Sequence, residues 1–372
     1  MFARSLLAAT LSFALTAHAQ EWAFEATTEQ NGNDNSAQID QQGGPYVSAN
    51  VVQTGDINKV AIQQVGYNLI VEATQLGNAN TLNTNQEGFG LWVHSYQEGE
   101  RNVQNIAQRT MDWAEATINQ IGTDNTATVN QLDTDYNNAT LNQLGHANAL
   151  TLEQAVFLNS LQANQDGTGN QATVGQYGNA SGQVDQYGQF NTVVSSQSTY
   201  GRLSGSISQT GESNRADVIQ TDPSYYGGST ASLMQNGSSN IADLTLYTTN
   251  GSFDFTQTGN GNELMVYQYG SSAVGYEENI RGGRITGQSS GDYNRVDIIQ
   301  GGDNNSLDLL QNGADNIISV SQTSYESDGD SGVINQVGNA NYASLDQQVI
   351  NSGGTASIEQ TGMGNRSVIF QR

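Results

Sequence analysis

The chain has 372 residues, of which only 35% are hydrophobic and 13% charged; glycine is abundant at 42 and proline occurs twice. Such a chain is too polar for one thick globular core and too patterned for ordinary disorder. A net charge of −25 with a single lysine, Lys59, excludes the basic face that nucleic acid needs, and the lack of cysteine excludes disulfides, thiolate metal sites and cysteine nucleophiles.

Residues 1–19 read as a secretory signal. Arg4 supplies the charged start, and the apolar run Leu6–Leu15 is too short to span a bilayer. Ala17-His18-Ala19 is a small-x-small cleavage site, so the mature chain is expected to begin at Gln20, with Gln20–Glu29 as a short N-terminal segment. No later stretch reaches the ~18 apolar residues of a membrane span.

From Gln30 onward the chain rewrites one phrase, Gln-x-Gly-x-x-Asn-x5-Gln. The first copy is Gln30, Gly32, Asn35 and Gln41; the second is Gln53, Gly55, Asn58 and Gln64. Gln75, Gly77, Asn80 and Gln86 follow, then Gln97, Gly99, Asn102 and Gln108. Next come Gln120, Gly122, Asn125 and Gln131, and Gln143, Gly145, Asn148 and Gln154. Gln165, Gly167, Asn170 and Gln176 precede Gln186, Gly188, Asn191 and Gln197, and then Gln209, Gly211, Asn214 and Gln220. The later copies are Gln257, Gly259, Asn262 and Gln268; Gln311, Gly313, Asn316 and Gln322; Gln336, Gly338, Asn341 and Gln347; and Gln360, Gly362, Asn365 and Gln371. Two more are altered. Gln235 opens a copy whose last position is Leu246, and Gln288 opens one with an extra residue before Asn294.

After each Asn, positions +2 and +4 are mainly small or apolar, as in Val60 and Ile62 or Leu150 and Leu152, and the residues between are mostly polar. The segment before each opening Gln alternates likewise: Leu69, Val71, Ala73 and Gln75 share one face. This is the period of two of a half-buried strand. Each unit therefore holds two strands, with Asn and both Gln pointing inward. The Gly suits a turn that needs positive φ. Pro45 and Pro223 fall between units, where no ladder bond is lost. The stretches Thr221–Met234, Tyr269–Gly287 and Thr323–Asn335 are expected as loops on one rim.

Two short strands do not stand alone in water. Stacked on neighbouring units they close a thin core, which predicts an all-β fold: a two-sheet β-solenoid of about fifteen strand-turn-strand rungs over residues 30–372. At ~4.8 Å per rung this is a rod of roughly 70 Å. An inner amide stacked on the same amide donates and accepts in turn, as in cross-β ladders. An unpaired one would cost about 1–3 kcal/mol, so the columns demand register. No polar capping unit is visible at either end of the repeats; open strand edges predict head-to-tail joining that does not close. Outward acids such as Asp217, Asp243, Glu263 and Asp346 read equally as gatekeepers against premature aggregation and as ordinary solvated faces.

The spacing Gln-x-Gly-x-x-Asn-x5-Gln, in units of this length after a secretion signal, resembles the curlin repeat family, subunits of the curli amyloid fibres of Gram-negative biofilms. The resemblance covers residues 30–371. It implies a secreted subunit that reaches the cell surface through the periplasm and an outer-membrane pore, polymerises with itself, and works beside a nucleating or sister curlin subunit. The matching Gln and Asn positions would carry the core ladders. The polar residue that the family has six before the opening Gln is only loosely matched, with Leu69 and Leu91 as departures. The long Gly-rich leader that engages the pore in the family is not written between the signal and the first repeat.

Rival readings are a monomeric secreted adhesin or polysaccharide-binding module, and a β-helix enzyme. His94 and His146, the only histidines after the signal, read as solvent-facing, and no catalytic, cofactor or metal motif is present. The Asp133–Asp135 and Asp328–Asp330 turns suit calcium, but Asp-rich turns are usually only turns. Trp92 and Tyr342 fall at outward positions, available to sugars, dyes or lateral packing.

Overall fold

The computed structural model describes residues 24–110, 112–225, 227–270, 282–324, 329–348 and 353–372, with the backbone alone at 133 and 134; the signal expected at 1–19 lies outside them. The described residues form thirty β-strands and no helix. The chain divides into two compact units, residues 1–147 and 148–372.

The first unit holds β1 (Phe24–Asn31), β2 (Ser36–Gln42), β3 (Val47–Thr54), β4 (Lys59–Tyr67), β5 (Leu69–Asn78) and β6 (Thr81–Phe89). It continues with β7 (Leu91–Glu100), β8 (Val103–Thr110), β9 (Ala114–Thr123), β10 (Thr126–Asp135) and β11 (Asn137–His146). Odd strands pair in parallel with odd, and even with even. Each odd strand and the even strand after it make one rung, and the rungs stack into two facing sheets: a β-solenoid.

The second unit repeats the plan. Its strands are β12 (Ala149–Phe157), β13 (Ser160–Thr168), β14 (Gln171–Tyr177), β15 (Ala180–Gln189), β16 (Thr192–Thr199), β17 (Arg202–Glu212) and β18 (Arg215–Asp222). Then come β19 (Gly228–Ser238), β20 (Ile241–Tyr247), β21 (Ser252–Asn260), β22 (Glu263–Tyr269), β23 (Arg284–Ser290) and β24 (Arg295–Gly302). The last are β25 (Ser306–Asn312), β26 (Ile317–Ser324), β27 (Ser331–Asn339), β28 (Tyr342–Gln347), β29 (Thr355–Met363) and β30 (Arg366–Gln371). The pairing is again parallel, odd with odd and even with even.

The alternation does what period two requires. In β3 buried and less buried residues alternate along the strand, and Val47, Leu69, Leu91 and Ala114 form a buried column through successive rungs. Burying one such Val or Leu stabilises by about 1.5–3 kcal/mol. Size is balanced between neighbours. A Cβ added to Gly287 would lie 2.2 Å from the Phe255 ring, so the glycine makes room for it.

Phe24–Glu29, within the short N-terminal segment that precedes the first repeat, lies in β1, with Phe24 in register with Val47. The loop expectations are corrected. The loop expected over 221–234 shrinks to the residues between β18 and β19, because Ser229, Ala231 and Leu233 alternate inward and bury. β23 and β27 likewise shorten the loops expected over 269–287 and 323–335, while 271–281 and 325–328 lie outside the described residues.

Candidate assembly core

The opening Gln lies on the inner side toward the end of an odd strand, and the closing Gln holds the same place on an even strand. In the first unit the odd column runs Gln30, Gln53, Gln75, Gln97, Gln120, Gln143, each Nε2 donating to the next Oε1 at 2.6–2.9 Å. The even column runs Gln41, Gln64, Gln86, Gln108, Gln131 at 2.8–3.0 Å. The second hydrogen goes to a backbone carbonyl of the opposite sheet, as Gln75 to Lys59 at 3.0 Å and Gln97 to Thr81 at 3.1 Å. A carbonyl only accepts, so this bond fixes which amide atom is nitrogen and gives the column a direction.

In the second unit Gln165, Gln186, Gln209, Gln235 and Gln257 are linked at 2.8–2.9 Å, and Gln311, Gln336 and Gln360 at 2.8–3.1 Å. On the even side Gln154, Gln176, Gln197 and Gln220 form one run and Gln268, Gln300, Gln322, Gln347 and Gln371 another.

The two breaks have names. Leu246 stands in register between Gln220 and Gln268. Ser289 stands between Gln257 and Gln311, donating its Oγ to Gln311 Oε1 at 3.0 Å. This corrects the unit at 288: there is no extra residue. Ser289 replaces the opening Gln, Gly291, Asn294 and Gln300 follow at the usual spacing, and Gln288 is exposed.

The Asn of each unit closes the arc between the two strands. Asn80 gives its backbone N–H and Nδ2 to Asn58 Oδ1 at 3.0 and 3.2 Å, and Nδ2 also reaches the Gly99 carbonyl at 2.9 Å. The full pattern recurs at Asn102 and Asn125 in the first unit and at Asn191, Asn214, Asn240, Asn262, Asn316 and Asn341 in the second, while Asn35 and Asn148 accept the N–H of the following Asn and Asn170, Asn294 and Asn365 keep the N–H bond to the preceding one. The thirteen turn glycines have φ of +109° to +130°. A Cβ on Gly77 would lie 2.1 Å from the Gly99 oxygen. Glycine is therefore required twice over, by conformation and by close stacking.

Two features escaped sequence reasoning. The residue just before the Asn is left-handed even where it is not glycine: Ile57, Ala79, Arg101 and Asp124 have φ of +55° to +62°. And Gln104, at a position expected to be apolar, is fully buried; Ser95 across the core gives its Oγ to Gln104 Oε1 at 2.6 Å. A small residue opposite was the available signal.

Residues 228–270 match the family model described as the curlin associated repeat. The chain carries a curlin repeat. The matched segment spans two successive rungs, β19 to β22, with Gln235, Gly237, Asn240 and Leu246 in the first and Gln257, Gly259, Asn262 and Gln268 in the second. The Asn column of this repeat continues into the rungs on either side of the match, while its Gln columns continue to Gln209 before it and to Gln300 after it. No curated protein matches the chain.

Beside these amide columns the other candidates are dispersed. His94 lies on the outer face with Nδ1 3.1 Å from Glu72, and His146 at the arc with Nδ1 2.8 Å from Thr123 Oγ1. Arg101 forks onto Asp124 at 2.7 and 2.8 Å; that hydrogen bonding, above all, holds the Asp124 carboxyl below its ordinary pKa. Among the described residues no group of three or more acids and histidines is placed to hold a metal. The side chain of Asp133 and all of Asp328 lie outside the described residues; Asp330 is buried and accepts the Gly354 N–H at 2.8 Å. Trp92 packs edge-on to Trp113, and Arg366 lies over the Tyr342 ring. No described helix is long and apolar enough to cross a membrane.

Proposed function

We propose that the chain is a secreted structural subunit that polymerises into curli-like amyloid fibres of a biofilm matrix and so mediates adhesion and aggregation. The observation that carries this reading is the directed amide column. Every linked Gln donates toward the later rung, so a stack has an acceptor face and a donor face, and joining one to the other is heterologous and does not close. Among the described residues β1 has a neighbour only in β3 and β29 only in β27, and unpaired strand edges template further pairing.

The partners are then other copies of the same chain, a sister or nucleating curlin, and an outer-membrane secretion pore. The acidic surface keeps the unassembled chain soluble during export. The test is seeded elongation of purified residues 20–372, followed by dye binding and fibre diffraction. Growth from seeds with a ~4.7 Å meridional reflection supports the reading. A monodisperse particle that aged seeds do not extend removes it and favours the adhesin.

A further inference from the structure

The same residue types that pair inside the core stand uncommitted on one outer face. Even strands of the first unit carry an open trough of about 390 Å³, within the size range of ligand sites. Its walls are carboxamides: Gln63, Asn85, Asn105 and Asn130. Its floor is low because Ala61 and Ala107 stand where neighbouring rungs carry longer side chains. Asn83 donates to Asn105 at 2.8 Å, while Gln63, Asn85 and Asn130 spend no amide atom on the protein. At the far end of the strands that hold Ala61 and Asn85, Tyr67 and Phe89 stack with centroids 4.9 Å apart and 9° between planes, both largely exposed.

We propose that this face of the first unit binds a neutral, linear polysaccharide lying along the stack. A primary amide presents a donor and an acceptor together, the pair that neighbouring sugar hydroxyls complement. Alanine methyls and aromatic rings suit the apolar C–H faces of pyranoses, and rings with one polar tip suit a wet interface. No lining residue is basic, so a polyanion finds no counter-charge and meets a chain of net charge −25. Asp40 is the single lining carboxylate, too little for a cation. The groups recur at every rung, so a repeating linear ligand meets repeating contacts, whereas a compact one would use only a fraction of them.

This inference does not depend on polymerisation, and its test separates the two. The unassembled mature chain is run through native gels containing hydroxyethyl-cellulose, laminarin or, as a polyanion, alginate. Retardation is expected in at least one neutral glucan and not in alginate. Gln63→Glu with Asn85→Asp keeps shape but exchanges donors for charge, and should weaken retention about tenfold. Asn119→Asp with Asn142→Asp adds the same charge on the opposite sheet and should leave retention unchanged. Ala61→Phe with Ala107→Phe fills the floor and should abolish it. No retardation in either neutral glucan, equal retardation in alginate, or equal behaviour of the two acidic pairs overturns the inference. A chain that binds glucan but is not extended by seeds loses the fibre reading and keeps this one.

Discussion

Gln220 stands in register with Leu246, and its Nε2 therefore donates only to the Ser204 carbonyl, at 3.3 Å, where members of an unbroken run such as Gln75 and Gln97 bond twice. Two rungs later Ser289 interrupts the odd column in the same way, too short to accept from Gln257. The rung between, β21 with β22, thus borders a break on each sheet. Local opening follows the density of protected bonds. Amide hydrogen exchange should therefore be faster in β20 and β23 than in β17 and β27 of the same unit, and Leu246→Gln should slow it in β20. Uniform exchange across these strands would mean that the columns add nothing to local stability.

An unbroken column should be costly to cut. Gln75→Leu leaves the Nε2 hydrogen of Gln53 and the Oε1 of Gln97 facing a methyl group, both fully buried. The loss of these two buried bonds and of the one to the Lys59 carbonyl, partly offset by leucine burial, should destabilise by about 1–3 kcal/mol. Ser319→Ala, at an outward position in β26, should fall within about 0.5 kcal/mol. Urea midpoints measure both, and equal effects would count against the inward amides as the stabilising element.

Much of this was legible because a strand period of two and a turn glycine are local signals. Val60 and Ile62 had to share a face, and Gly77 had to turn. The left-handed Ala79 and Ile57 were not legible, because nothing about alanine or isoleucine asks for positive φ. That conformation is imposed by the neighbour: the following Asn binds the rungs on both sides, and the arc between Gly and Asn has no other way to close. Ser289 was misread for a related reason. Gln288 satisfies the written pattern, but only the pairing of Phe253 with Ile285 fixes which residue faces inward. The trough was also hidden, since Asn85 and Asn80 look alike until one is bonded and the other is not.

The turn glycines should differ sharply among themselves. Gly77→Ala puts a Cβ 2.1 Å from the Gly99 carbonyl at a φ of +109°, which demands that two rungs part. Gly43 also has a positive φ, +66°, but nothing lies within 4 Å of its Cβ position. Gly43→Ala should cost only the left-handed penalty of about 1–2 kcal/mol. Gly77→Ala should cost clearly more and prevent folding of the first unit. Thermal unfolding by circular dichroism ranks the two; comparable midpoints would show that close stacking of the arcs is not needed.

The Arg101–Asp124 pair gives the first unit a pH dependence whose sign is fixed. Hydrogen bonding from Arg101, followed by its charge and that of His146, holds the Asp124 carboxyl below its unfolded value against an opposing desolvation. A depressed carboxyl contributes stability that is fully present above the unfolded pKa and is lost as pH falls through the folded one. Arg101 is exposed and Asp124 partly so, and solvent screens the pair, so the effect is small and weakens with salt. Asp124→Asn should lower the unfolding midpoint slightly at pH 7 and leave it unchanged at pH 2, where the wild-type carboxyl is itself protonated. Raising the salt concentration at pH 7 should narrow the gap. A gap that persists undiminished into acid would assign the loss to the shape of the arc and not to charge.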